Sequence, residues 1–278
     1  MAPPPGKSWA HDLLPRIASA VVLVVIAAWA LYWSVWSFDA LVAAAAAVLA
    51  WEWAKLCGEE RFGAVGLLLG VGILAMVLAA AFGAPGVALA LLPISIGTVY
   101  VAARRVALPR AGWSAFGPLY VGAPCVAIVW LRGDDSGALG QVVWLMVCVW
   151  ATDIGAYFAG RLIGGPKLAP RISPNKTWAG LGGAVAGAVA VGLAARLTVL
   201  EAPPSAATVA LASGALALLA QSGDLFESWI KRRFGVKDTS GLIPGHGGLF
   251  DRVDGLLAAA FGFAAWQWLT EGSVLSWR

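Results

Sequence analysis

The chain has 278 residues, 60% of them hydrophobic and only 12% charged, with a mean hydropathy of +0.81. An ordinary soluble domain carries about 25% charged residues, so a soluble fold is excluded and an all-α polytopic membrane protein is predicted. The net charge of +4 says less as a sum than as a distribution, because cytoplasmic loops of membrane proteins collect Lys and Arg.

Residues 1–16 open on a Pro-rich start predicted to be disordered and carry Lys7, His11, Asp12 and Arg16; the segment is predicted to be cytoplasmic. An apolar run from Ile17 to about Trp36 follows. Roughly 20 such residues cross a bilayer, and the run is longer than a secretory h-region of about 7–15 residues, so it is read as a retained first helix. Further apolar segments lie at about 38–57, 64–82, 85–103, 115–131, 138–161, 178–199, 206–229 and 255–272, making about nine transmembrane helices. The first break, around Ser37 and Asp39, and the Gly-Ala-Pro-Gly break at 83–86 are the shortest.

With the N-terminus in the cytoplasm, every Lys and Arg except Arg132, Arg196 and Arg278 falls on the inside, which satisfies the positive-inside rule. Residues 17–137 then read as an N-terminal scaffold. Residues 138–278 read as a catalytic half with cytoplasmic loops at 162–177 and 230–254, because the polar chemistry rises sharply after residue 150. Glycines such as Gly180, Gly183 and Gly187 allow neighbouring helices to approach closely. Cys57, Cys125 and Cys148 have no metal-ligand spacing and are read as small core residues.

Asp153 lies inside an apolar segment, where a central carboxylate costs about 2.5–3.5 kcal/mol on insertion scales. Such a residue usually faces a polar cavity; a protonated Asp153 bonding a neighbouring helix is the alternative. Tyr157 and Gly160 continue its face at helical spacing. The following loop carries Lys167, Arg171, Ser173, Pro174, Asn175, Lys176 and Thr177 just before a helix predicted to start at Trp178. Basic residues and hydroxyls at a helix N-terminus suit phosphate, although a basic loop can also serve only as a topology determinant. Further on, Asp224, Glu227 or Ser228, and Lys231 share one helical face, which a plain salt-bridged helix end would also produce.

Residues 228–254 hold five of the 19 Lys and Arg residues (Lys231, Arg232, Arg233, Lys237 and Arg252), interleaved with Asp238, Asp251 and Asp254 around Pro244-Gly245-His246-Gly247-Gly248. Basic groups beside carboxylates and flexible backbone point to phosphates and a metal ion. Asp251 and Asp254 are three apart at the start of the last helix, so both can face one site, and hard oxygen ligands of this kind favour magnesium. Helix capping is the alternative for either, above all for Asp254. A lone His246 without a second nearby histidine argues against zinc and reads as a phosphate or positioning contact, with Gly247 and Gly248 letting backbone N–H groups come close.

This stretch resembles the signature of the phosphatidate cytidylyltransferase (CDP-diacylglycerol synthase) family through Ser228, Lys231-Arg232, Lys237-Asp238, Ser240, Ile243-Pro244, His246-Gly247-Gly248, Leu249, Asp251-Arg252 and Asp254. Residues 173–178 resemble the family's Ser-Pro-x-Lys-Thr-Trp element. The chain departs from it at Ala179, where relatives commonly have Glu or Gln, so a polar contact is missing there.

The resemblance implies a nucleotidyltransferase that makes CDP-diacylglycerol and pyrophosphate from CTP and phosphatidate, in a bacterial-type inner membrane with its active site facing the cytoplasm. It places a metal-binding aspartate at Asp224, expected to share magnesium with Asp251, and Asp254 joins the candidate ligands; a second cation is left open. Lys231, Arg232, Lys237 and Arg252 are expected to position phosphates, with Asp238 a positioning residue. Asp153, Ser173, Lys176, Thr177, Ser228, His246, Gly247 and Gly248 complete the substrate site. The expected partners are CTP, phosphatidate and the bilayer, with no nucleic acid; a homodimer is left open. A transporter of an anionic substrate is the alternative. The charges cluster at one end with no visible repeat, which argues against it.

Overall fold

The computed structural model describes residues 9–59, 63–133, 137–200, 204–243 and 247–271. They form helical rods in the places where the apolar runs predicted them. The first two are α1 (Trp9–Trp33) and α2 (Val35–Leu56), so the break between them falls at Ser34 rather than around Ser37 and Asp39. The reason is a reciprocal cap. The Ser34 hydroxyl accepts from the Ser37 N–H at 3.0 Å, and the Ser37 hydroxyl accepts from the Ser34 N–H at 3.0 Å, which satisfies donors that a helix start leaves free.

α3 (Ala64–Ala81) and α4 (Pro85–Arg105) follow, joined by the predicted turn in which Gly83 has a φ of +74° and Pro85 is the first helical residue. The next rod runs from Ala111 to Arg132 as α5 (Ala111–Gly117), a π-helical turn over Pro118–Gly122, and α6 (Ala123–Arg132). Beyond it come α7 (Ala138–Leu162), α8 (Trp178–Arg196), α9 (Ala206–Phe234) and α10 (Phe250–Thr270). Among the described residues, seven rods are long and apolar enough to cross a bilayer. The other two are α1, with its apolar stretch Val21–Trp33, and α10, which opens on Asp251, Arg252 and Asp254.

Two departures bear on the site. Residues read as a loop after α7 form a small antiparallel hairpin, β1 (Lys167–Ala169) with β2 (Ser173–Thr177), in which Lys167 pairs with Thr177. In addition, α9 runs to Phe234 and ends on Gly235 at φ +75°. The polar stripe of its last turns is therefore helical throughout.

Close packing of α7 on α8 depends on glycine as expected. A Cβ on Gly155 would strike the Gly183 carbonyl, and one on Gly183 would strike Ala159. Behind the site, Trp53, Tyr120 and Phe250 interlock with Trp113, Phe116, Phe226, Trp229 and Phe234 at centroid separations of 5.1 to 6.2 Å. Such aromatic pairs contribute about 0.5–1.5 kcal/mol each beyond their burial. This wall ties α2 and α5 to α9 and α10. The three cysteines are free and buried, and burial pushes the Cys57 thiol up to about 12, consistent with inert core residues.

Candidate active site

Where α9 ends and α10 begins, three carboxylates meet. Asp224 and Glu227 on α9 face Asp254 in the first turns of α10, and one oxygen from each lies within 4.8 Å of the others. Glu227 is 3% exposed, and its Oε1 has no hydrogen-bond partner among the described residues. An orphaned buried acceptor costs about 1–3 kcal/mol, and three converging carboxylates repel. A hard divalent cation relieves both costs, so this donor set fits magnesium.

Lys231 links the cluster to the signature loop. Its Nζ donates to Glu227 Oε2 at 2.7 Å and to Asp251 Oδ1 at 2.6 Å. The second oxygen of Asp251 accepts from the Thr239 N–H at 3.0 Å, the Thr239 hydroxyl at 2.9 Å and the Gly248 N–H at 2.8 Å. The structure thus joins Asp224 to Glu227 and Asp254, and it gives Asp251 to Lys231 and the loop. Gly247, at φ +83°, makes the loop's turn possible, and its carbonyl accepts from the Ile243 N–H at 2.8 Å.

A cavity of about 230 Å³ opens beside Asp224. Asp153, Tyr157 and Gly160 form one wall, as the helical spacing on α7 predicts, and Asn175 and Lys176 of β2 face them. Lys176 ion-pairs with Asp224 at 2.6 Å and donates to Gln221 at 2.8 Å. The Thr177 hydroxyl accepts from the Gly180 N–H at 3.0 Å and caps α8. Ser228 donates to Asp224 over a long 3.4 Å. Ser173 is half-buried in β2, whereas Arg232, Lys237, Asp238 and Arg252 are exposed and do not line the cavity. Asp153 feels the charges of Asp224, Lys176 and Arg252, which places all four in one electrostatic neighbourhood. His246 lies outside the described residues.

The site also contains residues that the sequence reading left out of its set. Glu52, on α2, is 0% exposed. Its Oε1 accepts from the Ser240 hydroxyl at 2.6 Å and the Leu249 N–H at 2.9 Å, and its Oε2 accepts from the Phe250 N–H at 2.7 Å. A carboxylate is favourable at a helix N-terminus, and here it fixes the start of α10 from a rod at the other end of the sequence. Glu227 was visible on the α9 stripe but was not set apart from Ser228. Tyr120, carried by the π turn, buries a hydroxyl that has no partner among the described residues and feels the charges of Glu227, Asp254 and Asp224. Such turns often mark functional positions.

Fold and site together define a multi-pass membrane protein that gathers carboxylates and lysines at one end of its bundle. The chain belongs to the cytidylyltransferase family, whose model matches residues 14–269. It is 40% identical over 255 residues to the phosphatidate cytidylyltransferase of Brucella suis biovar 1 (strain 1330), covering 90% of this chain and 91% of the relative. The phosphatidate cytidylyltransferase of Pseudomonas aeruginosa is 37% identical over 266 residues, covering 92% of this chain and 97% of the relative. That of Bacillus subtilis (strain 168) is 36% identical over 148 residues, about half of each chain.

Proposed function

We propose that this protein joins CTP to phosphatidate, forming CDP-diacylglycerol and releasing pyrophosphate. One observation carries the reading. Residues of α7, β2, α9 and α10 converge on Asp224, Glu227 and Asp254 at one end of the bundle, with Lys176 and Lys231 bonded to the same carboxylates.

The reaction is an attack by a phosphatidate oxygen on the α-phosphorus of CTP, with cleavage of the bond to the bridging oxygen and departure of pyrophosphate. A phosphate monoester has its second pKa near 6, so the nucleophile is largely ionised at neutral pH and needs no protein base. A magnesium ion held by Asp224, Glu227 and Asp254 would neutralise charge on the nucleotide phosphates. Lys176 and Lys231, already beside these carboxylates, supply ammonium donors to phosphate oxygens. The exposed Arg232, Lys237 and Arg252 draw the triphosphate to the rim, since phosphoryl chemistry rests mainly on alignment and electrostatics. Asp251 orients Lys231, and Asp238 sits on the loop that Asp251 pins. The diacyl lipid enters sideways between rods, with its headgroup in the cavity beside Asp153.

In this reading the site faces the cytoplasm of a bacterial-type inner membrane, and residues 17–137 act as a scaffold that clamps the catalytic half through Glu52. A transporter reading lacks a comparable observation, because the polar groups gather at rod ends. The test is a nucleotide-by-lipid activity matrix on the purified protein. CTP with phosphatidate should give CDP-lipid and pyrophosphate, whereas ATP, GTP or diacylglycerol should give neither. Absence of CDP-lipid from the CTP and phosphatidate pair would refute the proposal.

A further inference from the structure

We propose a second anion site, apart from the acid cluster, that holds the phosphate headgroup of an anionic phospholipid where α4 and α9 end and α5 begins. A cavity of about 630 Å³ lies there, lined by Arg104, Arg110 and Arg233 together with Tyr100, Trp113 and Phe234. Among the described residues no Asp or Glu lines it, and none of the three guanidiniums forms an ion pair there. A positive-inside bias spreads cations along loops. It does not require one from α4, one from the following link and one from α9 to converge on a single concavity.

Two of the three are held in place. Arg110 donates to the Leu56 carbonyl at 2.8 Å, and its guanidinium carbon lies 4.3 Å from the Phe234 ring centroid. Arg233 sits 5.6 Å from the Trp229 ring and 6.0 Å from that of Trp113. Stacked guanidiniums keep N–H groups free for the forked contacts that phosphate oxygens accept.

Depth selects a lipid over a soluble anion. The cavity is built from the last turns of two membrane-crossing rods, the level at which headgroups lie. On the same face of α4 as Arg104, Leu89 and Tyr100 are exposed apolar side chains. A cationic mouth above a lipid-facing strip matches a phosphorylated headgroup with its acyl chain, as in basic pockets between transmembrane helices.

The site is not the catalytic one. Arg233 follows Lys231 by two residues and so points to the far side of α9. The Trp113–Trp229 and Phe226–Trp229 pairs, at 5.8 and 5.7 Å, stand between.

The experiment is native mass spectrometry of the full chain in neutral detergent, titrated with dioleoyl phosphatidylglycerol, dioleoyl phosphatidylcholine or inorganic phosphate. Wild type should retain one phosphatidylglycerol, and the Arg104→Gln/Arg233→Gln double variant should bind it at least about 10-fold more weakly. Phosphatidylcholine should not be retained, and millimolar inorganic phosphate should not displace the lipid. Arg104 and Arg233 are exposed, so the variant should stay monodisperse and keep its turnover on saturating phosphatidate within about two-fold. Arg104→Gln alone should show a smaller loss of the same lipid. Equal retention by wild type and double variant would overturn the site. Inorganic phosphate binding as tightly as the lipid would overturn the lipid assignment. Because the readout is retention rather than turnover, failure here is distinct from failure of the enzymatic reading.

Discussion

At the residue scale, the decisive distinction is between Asp251 and Asp254. Three positions apart on one helix, they project to nearly the same face, so periodicity alone cannot say which joins Asp224. The tertiary neighbours differ: Lys231, Thr239 and Gly248 bond Asp251, whereas Asp254 clusters with Asp224 and Glu227, and we propose the metal at that cluster. Asp224→Asn, Glu227→Gln and Asp254→Asn should each cost at least about 10²-fold in turnover, roughly 2.7 kcal/mol of barrier. Pairs of these changes should cost little more than one, since a site that has lost one ligand has little left to lose. Asp251→Asn should also slow turnover but leave manganese binding, read by electron paramagnetic resonance, near wild type, whereas Asp254→Asn should abolish it. The opposite ordering would return the metal to Asp251. Glu52 was illegible for a different reason. With Lys55 three residues on, Glu52 reads as an ordinary charged helix end, whereas its three donors lie 188 to 198 positions away in the chain.

At the element scale, most rod positions were legible to within a few residues because apolar runs of bilayer length admit little else; α1 is the exception, beginning at Trp9 where the apolar run begins at Ile17. The hairpin was not, since β1 and β2 are only 3 and 5 residues long, contain Pro174 and show no alternation. It forms because α7 and α8 pack closely and the connection between them must fold back. Its effect is to carry Lys176 to Asp224. Lys176→Ala should therefore raise the apparent CTP or phosphatidate KM while the protein remains monodisperse in size-exclusion chromatography; full activity would reduce the hairpin to a connector. The junction of α10 with the loop depends in the same way on Glu52. Glu52→Gln turns an acceptor into a donor facing N–H groups, and hydrogen bonds to a buried charge contribute about 1.5–3 kcal/mol each. This variant should melt several degrees lower in detergent and lose affinity for CTP. Gly248→Ala should do the same, because a Cβ there would overlap Thr239 and Glu52. Unchanged melting in both would mean that α10 is held elsewhere.

At the scale of the whole molecule, the rods share one polar end. The contacts Arg110–Leu56, Trp113–Phe234, Lys176–Asp224 and Glu52–Phe250 place the ends of α2 and α9 beside the starts of α5 and α10 and the hairpin that leads into α8. That end carries most of the cations. Of the three assigned by charge to the opposite side, two serve local structure: Arg132 donates to the Leu31 and Gly133 carbonyls, and Arg196 donates to the Pro204 carbonyl. In the proposed orientation these carbonyl-bonded cations sit on the outer face without weakening the positive-inside bias. A cysteine-free background is feasible because all three thiols are buried and unpaired by disulfide. In that background, cysteines at Arg171, in the hairpin, and at Lys237, in the signature loop, should react with a membrane-impermeant maleimide only after the inner membrane is opened. A cysteine at the exposed Leu197, just past α8, should react in intact spheroplasts. Labelling of position 237 in sealed spheroplasts would invert the bundle and put the nucleotide site where no CTP is available. Protection of all three positions would instead mean that the rod ends lie deeper in the membrane than nine crossings allow.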